Sequence, residues 1–193
     1  MRFRLLLTVG LLASVLLLTG CFEDIVNTFD GEPQVEFEQY NQPALGVGSF
    51  GNSYAGSLSF AADAEEPASF GLRLNLIGEH HSNDVHINFA AVSEQVDVDG
   101  DVVNTASAVE GEHFTLSPGD GQAVFPAGVD CGDFPYTEAC PSFSFIEVTA
   151  LPDGLEPGES VTMILELQES EMLIPAENYK YYTVTLSKAS DDG

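Results

Sequence analysis

The segment Phe70-Gly71-Leu72-Arg73-Leu74-Asn75-Leu76 puts an apolar side chain at every second position and a small or polar one between. A period of two is that of a β-strand with one face buried and one face in water; a helix would scatter the same four side chains around its axis. The alternation recurs in both directions. Upstream, Leu58 and Phe60 alternate with Ser57 and Ser59, and Val35-Glu36-Phe37-Glu38 alternates apolar with acidic. Downstream come Val85, Ile87 and Phe89, then Ala123 to Pro126, Ser142 to Val148, Val161 to Leu167, and Tyr182 to Leu186. In Phe143-Ser144-Phe145-Ile146-Glu147-Val148 the apolar phase changes from odd to even positions, which predicts a bulge or twist near Ile146.

Turn formers separate these runs: Asp99-Gly100, Gly111, Pro118-Gly119-Asp120-Gly121, Pro152-Asp153-Gly154 and Pro157-Gly158. No window of twelve residues keeps a helical spacing. About eight short strands with no intervening helices predict an all-β fold, an antiparallel β-sandwich of immunoglobulin-like architecture. The chain has no Trp and so lacks the Cys-Trp-Cys core of true immunoglobulin domains.

Composition narrows the classes of function. Beyond residue 20 the strong cations are Arg73, Lys180 and Lys188, set against 31 carboxylates, a formal charge of −28. Nucleic acid is excluded as a partner, because phosphate binding needs clustered Lys and Arg. Disorder is disfavoured by 44% hydrophobic residues, 13 Phe and 6 Tyr, which argue for a buried core beneath an acidic shell. Such a shell repels itself, and salt screens that repulsion, so the chain is expected to be adapted to high ionic strength, a halophilic character.

The first twenty residues read as a signal peptide: Arg2 and Arg4, an apolar run from Leu5, then small residues. Leu18-Thr19-Gly20-Cys21 resembles a bacterial lipobox, which implies cleavage before Cys21 and a lipid on it. The expected organisation is a signal peptide over 1–20, a lipidated tether over 21–32, a sandwich domain over 33–188 and an acidic tail over 189–193. Phe22 in place of an Asp after the lipidated residue implies, by resemblance to lipoprotein sorting, the outer membrane. The membrane is then a partner through the Cys21 lipid. Cys131 and Cys140 remain, nine positions apart in an oxidising setting; a local disulfide is preferred to two free thiols or a metal site.

Ala108-Val109-Glu110-Gly111-Glu112-His113-Phe114-Thr115-Leu116, Val124-Phe125-Pro126-Ala127-Gly128, Leu155-Glu156-Pro157-Gly158-Glu159-Ser160 and Pro175-Ala176-Glu177-Asn178-Tyr179 resemble the Calx-beta sandwich and small Calx-beta-like lipoproteins of unknown function. The resemblance covers roughly residues 69–188. Calx-beta domains of exchangers bind calcium through acidic clusters at one sandwich end. The acidic pattern ahead of the penultimate strand is replaced here by Pro152-Asp153-Gly154-Leu155, so those ligands do not carry over.

Candidate sites follow from residue chemistry. Asp97-Val98-Asp99-Gly100-Asp101 offers three alternating carboxylates, as a calcium loop does, but Val102 and Ala108 stand where that loop needs Gly and Glu; a plain acidic hairpin turn is preferred and calcium at Asp97, Asp99 and Asp101 is the alternative. No other cofactor is expected. His80, His81, Asp84 and His86 are possible metal ligands, read more simply as a polar connection leading into a strand. Gly46-Val47-Gly48-Ser49-Phe50-Gly51 spells G-x-G-x-x-G without a following helix, and a dinucleotide site is rejected. Gly51-Asn52-Ser53-Tyr54-Ala55 lacks the helix that presents a catalytic serine. Within the stapled loop, Phe134 and Tyr136 are read first as a cap over an open end of the sandwich, and with Asp133 and Glu138 they form, as the alternative, a candidate contact site for a glycan or an envelope protein. The expected function is therefore a non-catalytic binding or assembly module, with a calcium-binding adhesion module and an exported polysaccharide-acting enzyme as alternatives.

Overall fold

The computed structural model describes residues 31–38, 48–50, 53–132 and 138–190. In chain order the strands are β1 Gln34–Phe37, β2 Gly48–Phe50, β3 Ser53–Phe60, β4 Ala68–Ile77, β5 Val85–Ala91, β6 Glu94–Val96 and β7 Val102–Thr105, followed by β8 Phe114–Ser117, β9 Gln122–Phe125, β10 Phe143–Ala150, β11 Ser160–Gln168, β12 Ile174–Pro175 and β13 Tyr181–Lys188. All eight alternating runs are strands. The five further strands have two to four residues each.

Two sheets face each other. One has the order β12-β1-β4-β10-β8 and the other β2-β3-β13-β11-β5-β9, with β6 and β7 forming a separate hairpin. Most pairings are antiparallel, as alternation with one wet face implies. Two are parallel: β1 with β12, and β3 with β13 in register from Tyr182 beside Tyr54 to Lys188 beside Phe60. Parallel neighbours cannot be joined by a tight turn, so the β3–β13 pair ties the start of the domain to its end.

The inner faces are those the alternation names. Leu72 and Leu74 on β4, Ile146 and Val148 on β10, Leu165 on β11 and Val184 and Leu186 on β13 are all fully buried. Phe37 reaches across from β1 to Tyr182 on β13, ring centroids 5.4 Å apart and tilted by 57°. Removing such a side chain costs its transfer free energy plus a cavity, about 2 to 5 kcal/mol for Leu→Ala.

One expectation is corrected. There is no bulge at Ile146: β10 pairs with β4 without interruption from Phe143 beside Asn75 to Ala150 beside Ala68. The even positions face inward throughout, beginning with Ser144, buried to 2% exposure. A hydroxyl is tolerated there because Ser144 Oγ donates to the Val124 carbonyl at 2.7 Å, which also links β10 to the β9 edge of the other sheet. Phe143 and Phe145 lie on the outer face. Arg73 sits over the Phe143 ring at 4.7 Å and forms an ion pair through both guanidinium arms with Glu38.

The hairpin β6–β7 lies on the outer face of the second sheet. Gln95 is buried and accepts a hydrogen bond from Thr183 on β13, and Ile164, which points outward from β11, is fully covered. Burial first, then a hydrogen bond and charge interaction with Glu166, pushes the Tyr181 phenol up to about 12. Burial alone pushes Tyr182 up to about 12. Both phenols are thus held neutral in the fold relative to an ordinary value of 10.0. Stability from this source is complete below pH 10 and is lost as pH rises through about 12. Urea midpoints measured across that window are expected to fall, and Tyr182→Phe is expected to flatten the fall; a midpoint independent of pH up to about 12 contradicts the assignment.

Candidate functional site

The strands bring separated polar groups together at the two ends of the sandwich. At the first end, Gly78 to Asp84 crosses from β4 to β5, and Gly78 takes φ 137°, a conformation open to glycine. His80 Nε2 lies 2.9 Å from Ser142 Oγ, just ahead of β10. Asp84 accepts the Ala127 N–H at 2.8 Å, fastening the crossover to the segment that follows β9. His81 Nε2 is enclosed with no hydrogen-bond partner, and His86 is half-buried on β5. His80 and Asp84 are thus used to fasten loops, and among the described residues no three His, Cys, Asp or Glu side chains are grouped to hold a metal ion.

The same end carries the stapled loop. Cys131 and Cys140 are joined in a disulfide with Cα atoms 5.0 Å apart. Cys140 is fully buried and pairs with Phe143 through two backbone hydrogen bonds, so the loop is anchored to the start of β10. Glu138 is exposed on it. Asp133, Phe134 and Tyr136 lie outside the described residues, as do Cys21, the signal peptide and all but the end of the tether.

At the opposite end a cleft of about 330 Å³ is lined by Pro67, Leu151 and Pro152 together with the exposed residues Glu65, Glu112 and Asp153. These residues come from positions 65, 112 and 153, and nothing in their local sequence announces that they line one cleft. A Cβ on Gly154 would stand 2.0 Å from the Glu112 carbonyl oxygen, so only glycine permits this approach of the two loops. Nearby, His113 is buried and its Nδ1 accepts the Val109 N–H at 2.9 Å, which holds the turn ahead of β8. Lys188 donates to the Pro152 carbonyl at 3.1 Å. The exposed carboxylates can accept hydrogen bonds from hydroxyl or ammonium groups.

Asp97, Asp99 and Asp101 form the turn between β6 and β7. Asp97 Oδ1 accepts the N–H groups of Asp99 at 2.9 Å and Asp101 at 3.0 Å, and Gly100 takes φ 86°. This is the acidic hairpin turn. Gly48 to Phe50 of the glycine-rich stretch forms strand β2 rather than the lead-in to a helix, and Ser53 begins β3.

No family model matches the chain, and no curated protein matches it. Among solved structures it is similar to a proposed carbohydrate-binding protein from Bacteroides ovatus, at 12% identity and a TM-score of 0.47 over 81% of this chain and 37% of that one. It is also similar to the apo form of the Calx CBD1 domain, at 15% identity and a TM-score of 0.45, over 83% of this chain and 100% of that one. A third is Calx CBD12, at 16% identity and a TM-score of 0.44, over 80% and 44%. The chain spans little more than a third of the first of these proteins. At such identities and TM-scores the likeness carries no information about ligands.

A calcium ion at the hairpin would have to compete with two N–H groups for Asp97 Oδ1. Titration calorimetry of chelator-treated protein with calcium is accordingly expected to show no heat assignable to this turn, and Asp99→Asn with Asp101→Asn to leave the isotherm unchanged. Millimolar or tighter binding lost in that double variant reverses the assignment.

Proposed function

We propose that this chain is an exported, lipid-anchored β-sandwich of the cell envelope that acts as a non-catalytic binding or assembly module for a glycan or an envelope protein, resident in the outer membrane. The observation that carries the reading is the conjunction of Leu18-Thr19-Gly20-Cys21 with a sandwich whose first described strand begins thirteen residues later.

The geometry supports it. Gln34 pairs with Ile77, so the chain enters at the end that holds the crossover and the disulfide loop. Residues 21–33 span at most about 45 Å when fully extended. Strand β4, ten residues long, is about 34 Å. The tether is thus as long as the domain, and an anchored domain can stand clear of the lipid with the disulfide loop still free to meet a partner. The acidic shell favours that arrangement, because an anionic membrane surface repels it.

In the loop, the disulfide and Pro135 reduce the entropy lost on binding, Phe134 and Tyr136 offer aromatic faces for sugar rings or a protein, and Glu138 offers a hydrogen-bond acceptor.

Two measurements test the parts separately. Cys21→Ser is expected to remove the processed, detergent-partitioning form of the protein; continued partitioning refutes the anchor. Phe134→Ala combined with Tyr136→Ala is expected to leave the melting temperature unchanged while abolishing binding on a glycan array or to envelope proteins. A loss of a few kcal/mol of stability with no change in binding assigns the rings to a cap instead.

A further inference from the structure

We propose that His113 is a proton-operated latch on the turn of residues 109–112, closed by the neutral ring and released when the ring takes up a proton, so that acid loosens one wall of the cleft at that end of the sandwich. The turn closes through two bonds between Val109 and the histidine. The Val109 N–H donates to His113 Nδ1 at 2.9 Å, and the His113 N–H donates to the Val109 carbonyl at 2.9 Å. A main-chain N–H can only donate, so Nδ1 carries no hydrogen and the neutral ring has its hydrogen on Nε2. An imidazolium carries hydrogen on both nitrogens. Nδ1–H would then point one donor at another, and the bond from Val109 is lost. Proton uptake and the closed turn therefore exclude each other: closure is favoured as pH rises and given up as pH falls. Histidine is the side chain whose charge ordinarily changes between about pH 5 and 8.

The fold confines what moves. Upstream, the Ala108 N–H is fastened to the Thr162 carbonyl at 2.9 Å; downstream, the His113 carbonyl accepts the Leu151 N–H at 2.8 Å and Phe114 is buried in the core. Between these anchors Val109, Glu110, Gly111 and Glu112 are all exposed, so little apolar burial holds them when the ring lets go. The Gly111 N–H, on the Phe114 carbonyl at 2.7 Å, is untouched by the proton and tethers the released turn. Gly111 and Glu112 line the cleft, and the Glu112 carbonyl abuts Gly154. Movement of the turn thus opens the cleft along that contact.

The charged groups on the segments around the ring are few. Glu110 and Glu112 belong to the turn itself, Asp153 to the turn packed against the His113 backbone, and Glu65 lines the cleft beside Glu112. Lys188 opposes them from the Pro152 carbonyl, to which its ammonium donates at 3.1 Å. The four carboxylates are exposed and so screened by solvent and salt, whereas the contact at Nδ1 is direct. The inference rests on neither the lipid nor a glycan ligand.

The experiment uses the full chain labelled with nitrogen-15, with spectra recorded between about pH 8 and pH 5, above the ordinary range of carboxylates. The ring nitrogen shifts of His113 are expected to report hydrogen on Nε2 alone at the upper end and on both nitrogens at the lower. Protection of the Val109 N–H, measured as its exchange rate relative to an unstructured chain at the same pH, is expected to fall about five- to tenfold across that range, the loss of one hydrogen bond, while Thr115 on β8 keeps its own. His113→Asn offers Oδ1 in place of Nδ1 and does not titrate, so Val109 is expected to stay protected at both ends of the range although His80, His81 and His86 are still present. His113→Leu, with no acceptor, is expected to leave Val109 unprotected at both. Hydrogen on Nδ1 at the upper end, protection that does not change with pH, or a fall that persists in His113→Asn overturns the proposal. Where either variant fails to fold, the ring shifts and the Val109 profile of the unaltered chain decide alone.

Discussion

Apolar contact between the two inner sheet faces is what opposes the mutual repulsion of 31 carboxylates, and the rest of the structure is arranged around it. With so few Lys and Arg, ion pairs cannot share that role. Among the described residues the salt bridges are Arg73 with Glu38 and Lys180 with Glu177, and in the second the carboxylate is exposed, which weakens the pair. The first matters more. Arg73 is buried on an outer face, held by Glu38 beyond the end of β1 and by the ring of Phe143 on β10, so a single cation ties three neighbouring strands together. Removing it would leave a partly buried carboxylate without its counter-charge, a heavier loss than that of an exposed pair.

The same contact explains which strands were legible in the sequence. In β4, β11 and β13 every inward position is apolar, and the period of two is complete. In β10 it is not. Ser144 occupies an inward position, and a hydroxyl there reads as a wet face until its hydrogen bond to the Val124 carbonyl is known. Phe143 and Phe145 face outward, so the sequence carries two apolar phases that change at Ile146 and imitate a bulge in an unbroken strand. The hairpin β6–β7 was readable for the opposite reason. Asp99-Gly100 is a local turn signal, and the Asp97 carboxylate satisfies it without help from the rest of the fold.

Long-range groupings left no such trace. Glu65, Glu112 and Asp153 line one cleft because β4, β8 and β10 are neighbours in one sheet and their ends lie at one level. In a chain where carboxylates are so frequent, no spacing distinguishes three that share a cleft from three that do not. Gly154 is similar: as part of Pro152-Asp153-Gly154 it reads as an ordinary turn residue, whereas its small size is demanded by the Glu112 carbonyl from a different loop. His80 and Ser142 are 62 positions apart and are joined only because the crossover after β4 and the approach to β10 leave the sandwich at the same end.

These uses of surface limit where a partner can engage. The inner faces are filled. The outer face of the second sheet is covered around Ile164 and Thr183 by the hairpin, and on the outer face of the first sheet Arg73 is itself buried. Among the places the fold leaves open are its two ends and the hairpin, and each has a different chemistry: a disulfide-closed loop at one end, a cleft lined in part by carboxylate residues at the other, and an uncharged strand on the hairpin. An acidic shell discourages nonspecific contact with anionic surfaces, so the binding role proposed above would rest on short-range contacts. Screening by salt favours that kind of contact, because apolar burial and hydrogen bonds persist when long-range charge effects fade.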